Sequence, residues 1–196
     1  MSSSQGDFTN LSDTELVQLA KAGNADAFTL LFQRYERSVR GYLAGLVGNR
    51  EDADDLAQQA FLKTWDKLPA LHEAFRFKPW LFTIARNLAY DYGRLQARSP
   101  SQSLDRFKER NDTANGFNLE DATAVKELVQ LALAELPPKY RDCLLLHING
   151  GFSRDEIAEL LKIGKTSVST YICTARRLFR KAYYRLKDEK EKGSDE

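Results

Sequence analysis

The groups capable of acid, base or nucleophile chemistry are few in this chain and do not converge. His72 and His147 are its 2 histidines and stand far apart in sequence. The 2 cysteines, Cys143 and Cys173, lie among apolar positions with neither CxxC spacing nor a histidine cluster, a pattern of buried, reduced thiols rather than of a disulfide or zinc site. Asp52, Asp54 and Asp55 crowd one short helical stretch without a partner cluster or a glycine-rich phosphate loop, so they read as solvated or docking groups. No enzymatic activity, cofactor or metal is expected.

The chain concentrates noncovalent chemistry instead. Between Phe75 and Arg94, the residues Phe75, Arg76, Phe77, Lys78, Trp80, Phe82, Arg86, Asn87, Tyr90, Asp91 and Arg94 interleave rings with cations and amides. Rings stack on unpaired bases and guanidinium groups hold phosphates, so the mixture suits single-stranded nucleic acid. Several of Phe75, Phe77, Trp80, Phe82, Tyr90 and Tyr92 are expected to fill a helical core instead. A second concentration runs from Lys162 to Lys187, where Lys162, Lys165, Arg176, Arg177, Arg180, Lys181, Arg185 and Lys187 occur with no Asp or Glu between them. Such a run is often a solvated helix face, but here a helix-turn-helix pattern precedes it and the phosphate-binding meaning is favoured.

That pattern organises the stretch from Leu136 to Tyr184. Ser153 places an N-cap hydroxyl three residues before the carboxylate of Glu156, and a helix over Arg154 to Lys162 follows with Ile157, Ala158, Leu160 and Leu161 inward. Gly164 supplies the break, and Thr166 or Ser167 is the expected cap of a second helix with Val168, Ile172, Ala175 and Phe179 inward. Two helices joined across about three residues let the second enter a major groove while the first braces it.

The rest of the chain is helical by the same reading. Ser12 or Asp13 caps a first helix with Leu16, Val17, Leu19 and Ala20 inside, ended by Gly23-Asn24. A long helix from near Asp26 to Gly48-Asn49 buries Phe28, Leu31, Phe32, Tyr35, Val39, Tyr42, Leu43, Leu46 and Val47. Over Glu51 to Trp65 the inward stripe is Ala53, Leu56, Ala57, Ala60, Phe61, Thr64 and Trp65, while Asp52, Asp55, Gln58, Gln59, Leu62 and Asp66 point elsewhere. Leu62 is out of place on that outer face, either as a chance exposed leucine or as part of a docking surface. A loop from Ala70 to Lys78 leads into a helix from Pro79 to about Gln96 with Leu81, Ile84, Ala85, Leu88 and Leu95 inside and Phe82 on the other side.

Periodicity then disappears. Residues 98–122 read as a flexible linker, which divides an all-α chain into a helical domain over residues 8–97 and a helix-turn-helix domain over 123–187, with a disordered charged tail at 188–196. In the second domain Val125, Leu128, Val129, Leu131, Ala132 and Leu136 form the first inward stripe, continued by Leu144, Leu145 and Leu146. A length of 196 residues suits one or two domains, the hydrophobic share of 42% is ordinary, and the net charge of +1 matters less than its distribution. No apolar run approaches the roughly 18 to 20 residues of a membrane span, so a soluble cytoplasmic chain without membrane insertion is expected.

Four strings carry a resemblance: Glu51-Asp52-Ala53-Asp54-Asp55-Leu56-Ala57-Gln58-Gln59-Ala60-Phe61-Leu62-Lys63-Thr64-Trp65, Lys78-Pro79-Trp80-Leu81-Phe82-Thr83-Ile84-Ala85-Arg86-Asn87, Leu136-Pro137-Pro138-Lys139-Tyr140-Arg141 and Phe152-Ser153-Arg154-Asp155-Glu156-Ile157-Ala158. In this order they resemble the extracytoplasmic-function (ECF) sigma factors of bacterial RNA polymerase over nearly the whole chain. The resemblance implies an initiation factor that binds core polymerase, directs it to specific promoters and assists melting, with sigma region 2 and region 4 joined by a linker that threads toward the RNA exit path. It implies docking of Asp52, Asp55, Gln58, Gln59 and Leu62 on the clamp of the largest polymerase subunit, and contact of region 4 with the flap of the second-largest. It implies that Phe75, Arg76, Phe77, Lys78, Trp80, Arg86, Asn87, Tyr90, Asp91 and Arg94 hold the melted −10 strand, whose extruded base the loop captures. For duplex −35 DNA it implies Lys165, Thr166, Ser167, Ser169, Thr170, Thr174, Arg176, Arg177 and Arg180, and it adds an anti-sigma factor to the possible partners.

The chain departs from the family pattern at three places. Gln58-Gln59 stands where Gln-Glu is usual, His72-Glu73-Ala74-Phe75-Arg76-Phe77 replaces a glycine-containing loop, and Ser169, Tyr171 and Thr174 occupy recognition-helix positions that are commonly basic. The alternative is a free-standing helix-turn-helix regulator. It would use the same carboxy-terminal half, normally as a dimer, and would leave Leu62 and the aromatic loop without a task.

Overall fold

The computed structural model describes residues 10–98 and 119–193. Its elements are α-helices and short 3₁₀ turns: α1 (Asp13–Lys21), α2 (Ala25–Val47), α3 (Arg50–Lys67), 3₁₀ turns at Leu68–Ala70 and Ala74–Arg76, α4 (Phe77–Arg98), α5 (Leu119–Ala134), α6 (Pro138–Ile148), α7 (Arg154–Leu161) and α8 (Lys165–Gly193). The chain is all-α, and no helix among the described residues is long and apolar enough to cross a membrane.

The punctuation is set by local chemistry. Ser12 accepts from the Glu15 N–H while the Glu15 carboxylate takes the Ser12 N–H, a complete capping box at the start of α1. Asn24 caps α2 and Asn49 caps α3, each through its side-chain oxygen. Gly48 ends α2 at φ 76, a left-handed conformation that costs glycine nothing. The inward stripes assemble as expected around Leu16, Val17, Leu31, Val39, Leu43, Ala53, Leu56, Ala60, Phe61, Leu81 and Ala85, all buried. Edge-to-face pairs of Phe28 with Trp65 and Phe32 with Phe61 lock α2 to α3. At the polar rim Arg40 joins Glu36 to Asp54, and Asp13 accepts from Arg34 and from the Tyr35 hydroxyl, which ties α1 to α2.

Helices α5 to α8 form the second domain. Pro138 opens α6 where a missing N–H costs nothing. Leu128, Ala132, Leu133, Leu136, Cys143, Leu144, Leu146, Ile157, Val168, Ile172 and Ala175 fill its core. The two domains touch directly. Helix α2 packs on α5 and α6, α4 packs on α7, and most buried apolar residues of the two domains form one connected cluster.

Several expectations are corrected. Thr166 and Ser167 lie inside the first turn of α8 rather than capping it, because the helix already begins at Lys165. Helix α5 begins at Leu119, inside the span expected to be linker, whereas residues 99–118 of that span lie outside the described residues. The tail expected to be disordered from residue 188 is helical to Gly193, supported by Arg185–Glu189 and Lys187–Glu191 pairs one turn apart. Leu95, Val125 and Leu131 are exposed at 64%, 48% and 51% rather than inward. Trp65 is more than a third exposed. Phe82, placed on the outer side of α4 by its helical phase, is fully buried because the second domain covers that side.

Candidate polymerase and nucleic-acid interfaces

Helix α3 separates its faces cleanly. Ala53, Leu56, Ala57, Ala60, Phe61 and Thr64 are buried against α2 and α4, and the opposite face presents Asp55, Gln58, Gln59 and Leu62 to solvent. Leu62 is 66% exposed, an apolar side chain held in water by a rigid helix with acids and amides beside it. Asp52 is half-buried at the edge of this face.

The turn at Ala74–Arg76 carries Phe75 outward at 67% exposure, with the Arg76 guanidinium 5.8 Å from its ring centroid. Arg76 also pairs with Glu73 at 2.5 Å and with Glu159 of α7 at 2.7 Å. Phe77 is fully buried beside Tyr35 and Trp80, so the core takes it and the expectation that it contacts DNA is corrected. Asn87, Asp91 and Arg94 are exposed along α4, the last two paired at 3.1 Å.

The other flank of α4 meets the second domain. Lys78 donates to the Gly151 carbonyl at 3.2 Å and lies 4.3 Å from the Phe152 ring centroid. Phe82 meets Phe152 edge-on at 4.9 Å. Arg86 Nε and Tyr90 Oη donate to one oxygen of Asp142, at 2.6 and 3.0 Å, and Tyr42 Oη donates to the other at 2.7 Å. Asp142 is only 1% exposed. Its partners carry the consequences: burial pushes the Tyr42 and Tyr90 phenols up, and the Asp142 charge adds to this. Burial works against the Arg86 cation, but the attraction of Asp142 outweighs it and holds the guanidinium above its ordinary value.

In the helix-turn-helix, Ser153 and Glu156 form a second capping box, which holds the Glu156 carboxyl below its usual range chiefly through the Ser153 N–H. Lys162 closes α7 in the left-handed conformation at φ 55. Helix α8 buries Val168, Ile172 and Ala175 and exposes Lys165, Thr166, Thr170, Arg176, Arg177 and Arg180, with Ser167, Ser169 and Thr174 half-buried. Lys165 pairs with Asp155 at 2.9 Å. Arg176 and Arg180 border a groove of about 560 Å³ between α2 and the second domain.

The chain thus joins a helix that exposes Leu62 on a polar face to a helix-turn-helix with a cationic second helix. The Sigma-70 region 2 family matches residues 31–99, and the Sigma-70 region 4 family matches residues 126–179. The ECF RNA polymerase sigma factor SigW of Bacillus subtilis is 30% identical over 176 residues, which span 84% of this chain and 93% of that protein. The chain belongs to the ECF sigma factors of RNA polymerase. The sigma factor CarQ of Myxococcus xanthus is 35% identical over 142 residues, spanning 70% of this chain and 78% of CarQ. The solved structure of CnrH in complex with the cytosolic domain of CnrY shares the fold with a TM-score of 0.64 at 24% identity, over 86% of this chain and 94% of that one. This sigma factor is therefore a promoter-specific initiation factor whose partners are core polymerase and promoter DNA, and not an enzyme.

Sequence reasoning missed Asp142, Tyr42 and Phe152 as a contact site for Arg86, Tyr90 and Phe82. One signal existed: Asp142 is an acid directly before the apolar run Cys143-Leu144-Leu145-Leu146, in a helix that would bury it. Cys173, expected to be buried, is exposed on α8, whereas Cys143 is buried and its thiol is pushed up to about 11, first by burial and then by the nearby Asp142 charge.

Proposed function

We propose that Asp52, Asp55, Gln58, Gln59 and Leu62 dock this sigma factor on the clamp of the largest polymerase subunit, with region 4 reaching the flap of the second-largest. In the same reading Phe75, Arg76, Lys78, Trp80, Arg86, Asn87, Tyr90, Asp91 and Arg94 hold the melted −10 strand. Helix α8 reads the −35 duplex through Lys165, Thr166, Ser167, Ser169, Thr170, Thr174, Arg176, Arg177 and Arg180. In this reading region 2 covers residues 8–97 and region 4 residues 123–187, with the helix that leads into region 4 starting earlier, at Leu119.

The observation that carries this reading is Leu62, exposed at 66% on the face of α3 opposite the buried Ala53, Leu56, Ala57, Ala60, Phe61 and Thr64. An isolated exposed leucine is ordinary, but here it sits on a rigid helix among residues suited to a polar rim, the anatomy of an interface anchor. Phe75 at 67% exposure supports the strand-binding part, since a ring held in solvent beside a guanidinium is free to stack on a base. The cytoplasm, where bacterial core polymerase works, is the compartment this reading requires.

An anti-sigma partner belongs to the same reading. CnrH was solved with the cytosolic domain of CnrY, and here the groove between α2 and the second domain, bordered by exposed Ile148 and Tyr184, offers a largely apolar surface for such a partner. The test of the central claim is co-elution of the chain with sigma-free core polymerase on size exclusion, alongside Leu62→Glu. Co-elution abolished by that change supports the docking face; equal co-elution of both chains overturns it.

A further inference from the structure

The first three turns of α8 carry no free cation. Between Lys165 and Arg176 the sequence holds neither a basic nor an acidic residue, and Lys165 itself is paired with Asp155 at 2.9 Å. A recognition helix reads base edges with its N-terminal residues. Arg176 and Arg177 follow roughly 16 Å along the axis, beyond the ~12 Å width of a major groove, where they meet the phosphate backbone. Exposed at the base-reading end are Thr166, Thr170 and Cys173, spaced to share one face, with Ser169 half-buried beside them. Tyr171 is taken by the fold: it packs edge-on against Tyr140 at 5.2 Å, with the Lys139 ammonium 5.1 Å from its ring centroid. The Thr170 hydroxyl donates to the Thr166 carbonyl at 3.1 Å, which uses its one proton inside the helix. We propose that Thr170 is the specificity-determining residue of −35 readout in this chain, seating its methyl on the 5-methyl of a thymine, with Thr166 and Cys173 extending the apolar contact. The inference deepens the assignment of α8 to the −35 duplex and rests on it.

The chemistry discriminates between base pairs. Guanine shows only acceptors in the major groove, so reading it calls for donors, best the fork of an arginine or the ammonium of a lysine. Thr170 has no donor left, Ser169 has a single hydroxyl, and the arginines of α8 begin past the base-reading turns. An A·T pair shows the adenine amino donor and the thymine methyl. These match the acceptor oxygen and the methyl that Thr170 still offers. The Cys173 thiol behaves here as a small apolar group with a weak donor. Affinity and discrimination are therefore carried by different residues: the arginines hold phosphates whatever the sequence, and the uncharged turns choose the base.

The test uses holoenzyme assembled from the full chain and sigma-free core polymerase. It selects from a randomised library of promoter-length duplexes, and each thymine of the enriched upstream block is then replaced singly by deoxyuridine, which removes only the 5-methyl. At least one replacement should weaken binding by about fourfold, the effect of one buried methyl. Thr170→Ser removes the facing methyl and keeps the hydroxyl, so it should bind the thymine duplex about fourfold more weakly and be indifferent to deoxyuridine at that position. Thr170→Val should keep the preference for thymine. An upstream block in which no thymine responds, or a deoxyuridine effect of equal size in Thr170→Ser and the parent chain, overturns the methyl contact while leaving α8 on the −35 duplex. An enriched pool with no upstream block overturns the assignment of α8 itself, and the contact with it.

Discussion

Gly45 of α2 lies so close to Leu145 of α6 that a methyl carbon built on the glycine would stand 2.5 Å from Leu145 Cδ2 and 2.8 Å from Cδ1. Both residues are buried, so the leucine has little room to withdraw. An alanine here gains up to about 1 kcal/mol of helix propensity but overpacks the contact by about 1–3 kcal/mol. The clash outweighs the propensity. Gly45→Ala should loosen the domains, seen as a larger radius of gyration at unchanged helix content; a compact and more stable variant would show that Leu145 repacks freely.

Polymerase docking should depend on α3 without touching the fold. Leu62→Ser and Gln58→Ala alter exposed side chains, so thermal stability should stay within about 0.5 kcal/mol. A central apolar anchor contributes about 1–2 kcal/mol or more at an interface, and Leu62→Ser should weaken core binding by about tenfold. Competition titration against unlabelled factor measures this, and undiminished affinity in the double variant rejects the face.

The cations of α8 should appear in the salt dependence of duplex binding. Arg176 and Arg177 are exposed and neighbour no acid within the stretch from Lys162 to Lys187. Replacing each phosphate-binding arginine by alanine should lower the slope of log affinity against log salt by about 1. Titration of promoter duplex at several salt concentrations reads the slope directly. A slope unaltered in both variants removes them from the phosphate-binding set.

Acid should weaken the start of α7 before it affects most of the core. The Glu156 carboxyl is held below its usual range, chiefly by the Ser153 N–H. Its folded value being depressed, the stability it contributes is fully present above the unfolded glutamate value of about 4.3 and is lost as pH falls through the folded one. Ser153→Ala should cost about 1 kcal/mol at neutral pH through loss of the cap. Glu156→Gln should flatten the acid limb of the stability profile, and an acid limb identical to that of the parent chain would exclude this contribution.

The two thiols should react unequally. Cys173 is exposed, whereas Cys143 is buried with its thiol pushed up to about 11. The thiolate is the reactive form, so iodoacetamide at neutral pH should modify Cys173 alone in the folded chain and both residues after denaturation. Mass spectrometry of the labelled protein distinguishes the two cases, and rapid labelling of Cys143 would mean that α6 leaves its site readily.

Local rules read directly from sequence account for much of this molecule. The capping boxes at Ser12 and Ser153, the left-handed stop at Gly48 and the buried stripe of α3 each depend on residues within about one helical turn, so their chemistry is written side by side in the chain. The exposure of Leu62 follows from the same counting, and the four family strings carry the functional class. Tertiary structure decided the rest. Helical phase puts Phe82 and Arg86 on the outer side of α4, and only the arrival of α6 and the Gly151-Phe152 turn makes that side an interior. The neighbours of Phe77 in sequence point to a DNA surface, but the core takes its ring through Tyr35, which is remote in sequence. Asp142 is the sharpest case. An acid in a burying helix signals an unmet electrostatic need, but its donors, Tyr42, Arg86 and Tyr90, lie 100, 56 and 52 residues away, and only the folded chain brings them to one carboxylate.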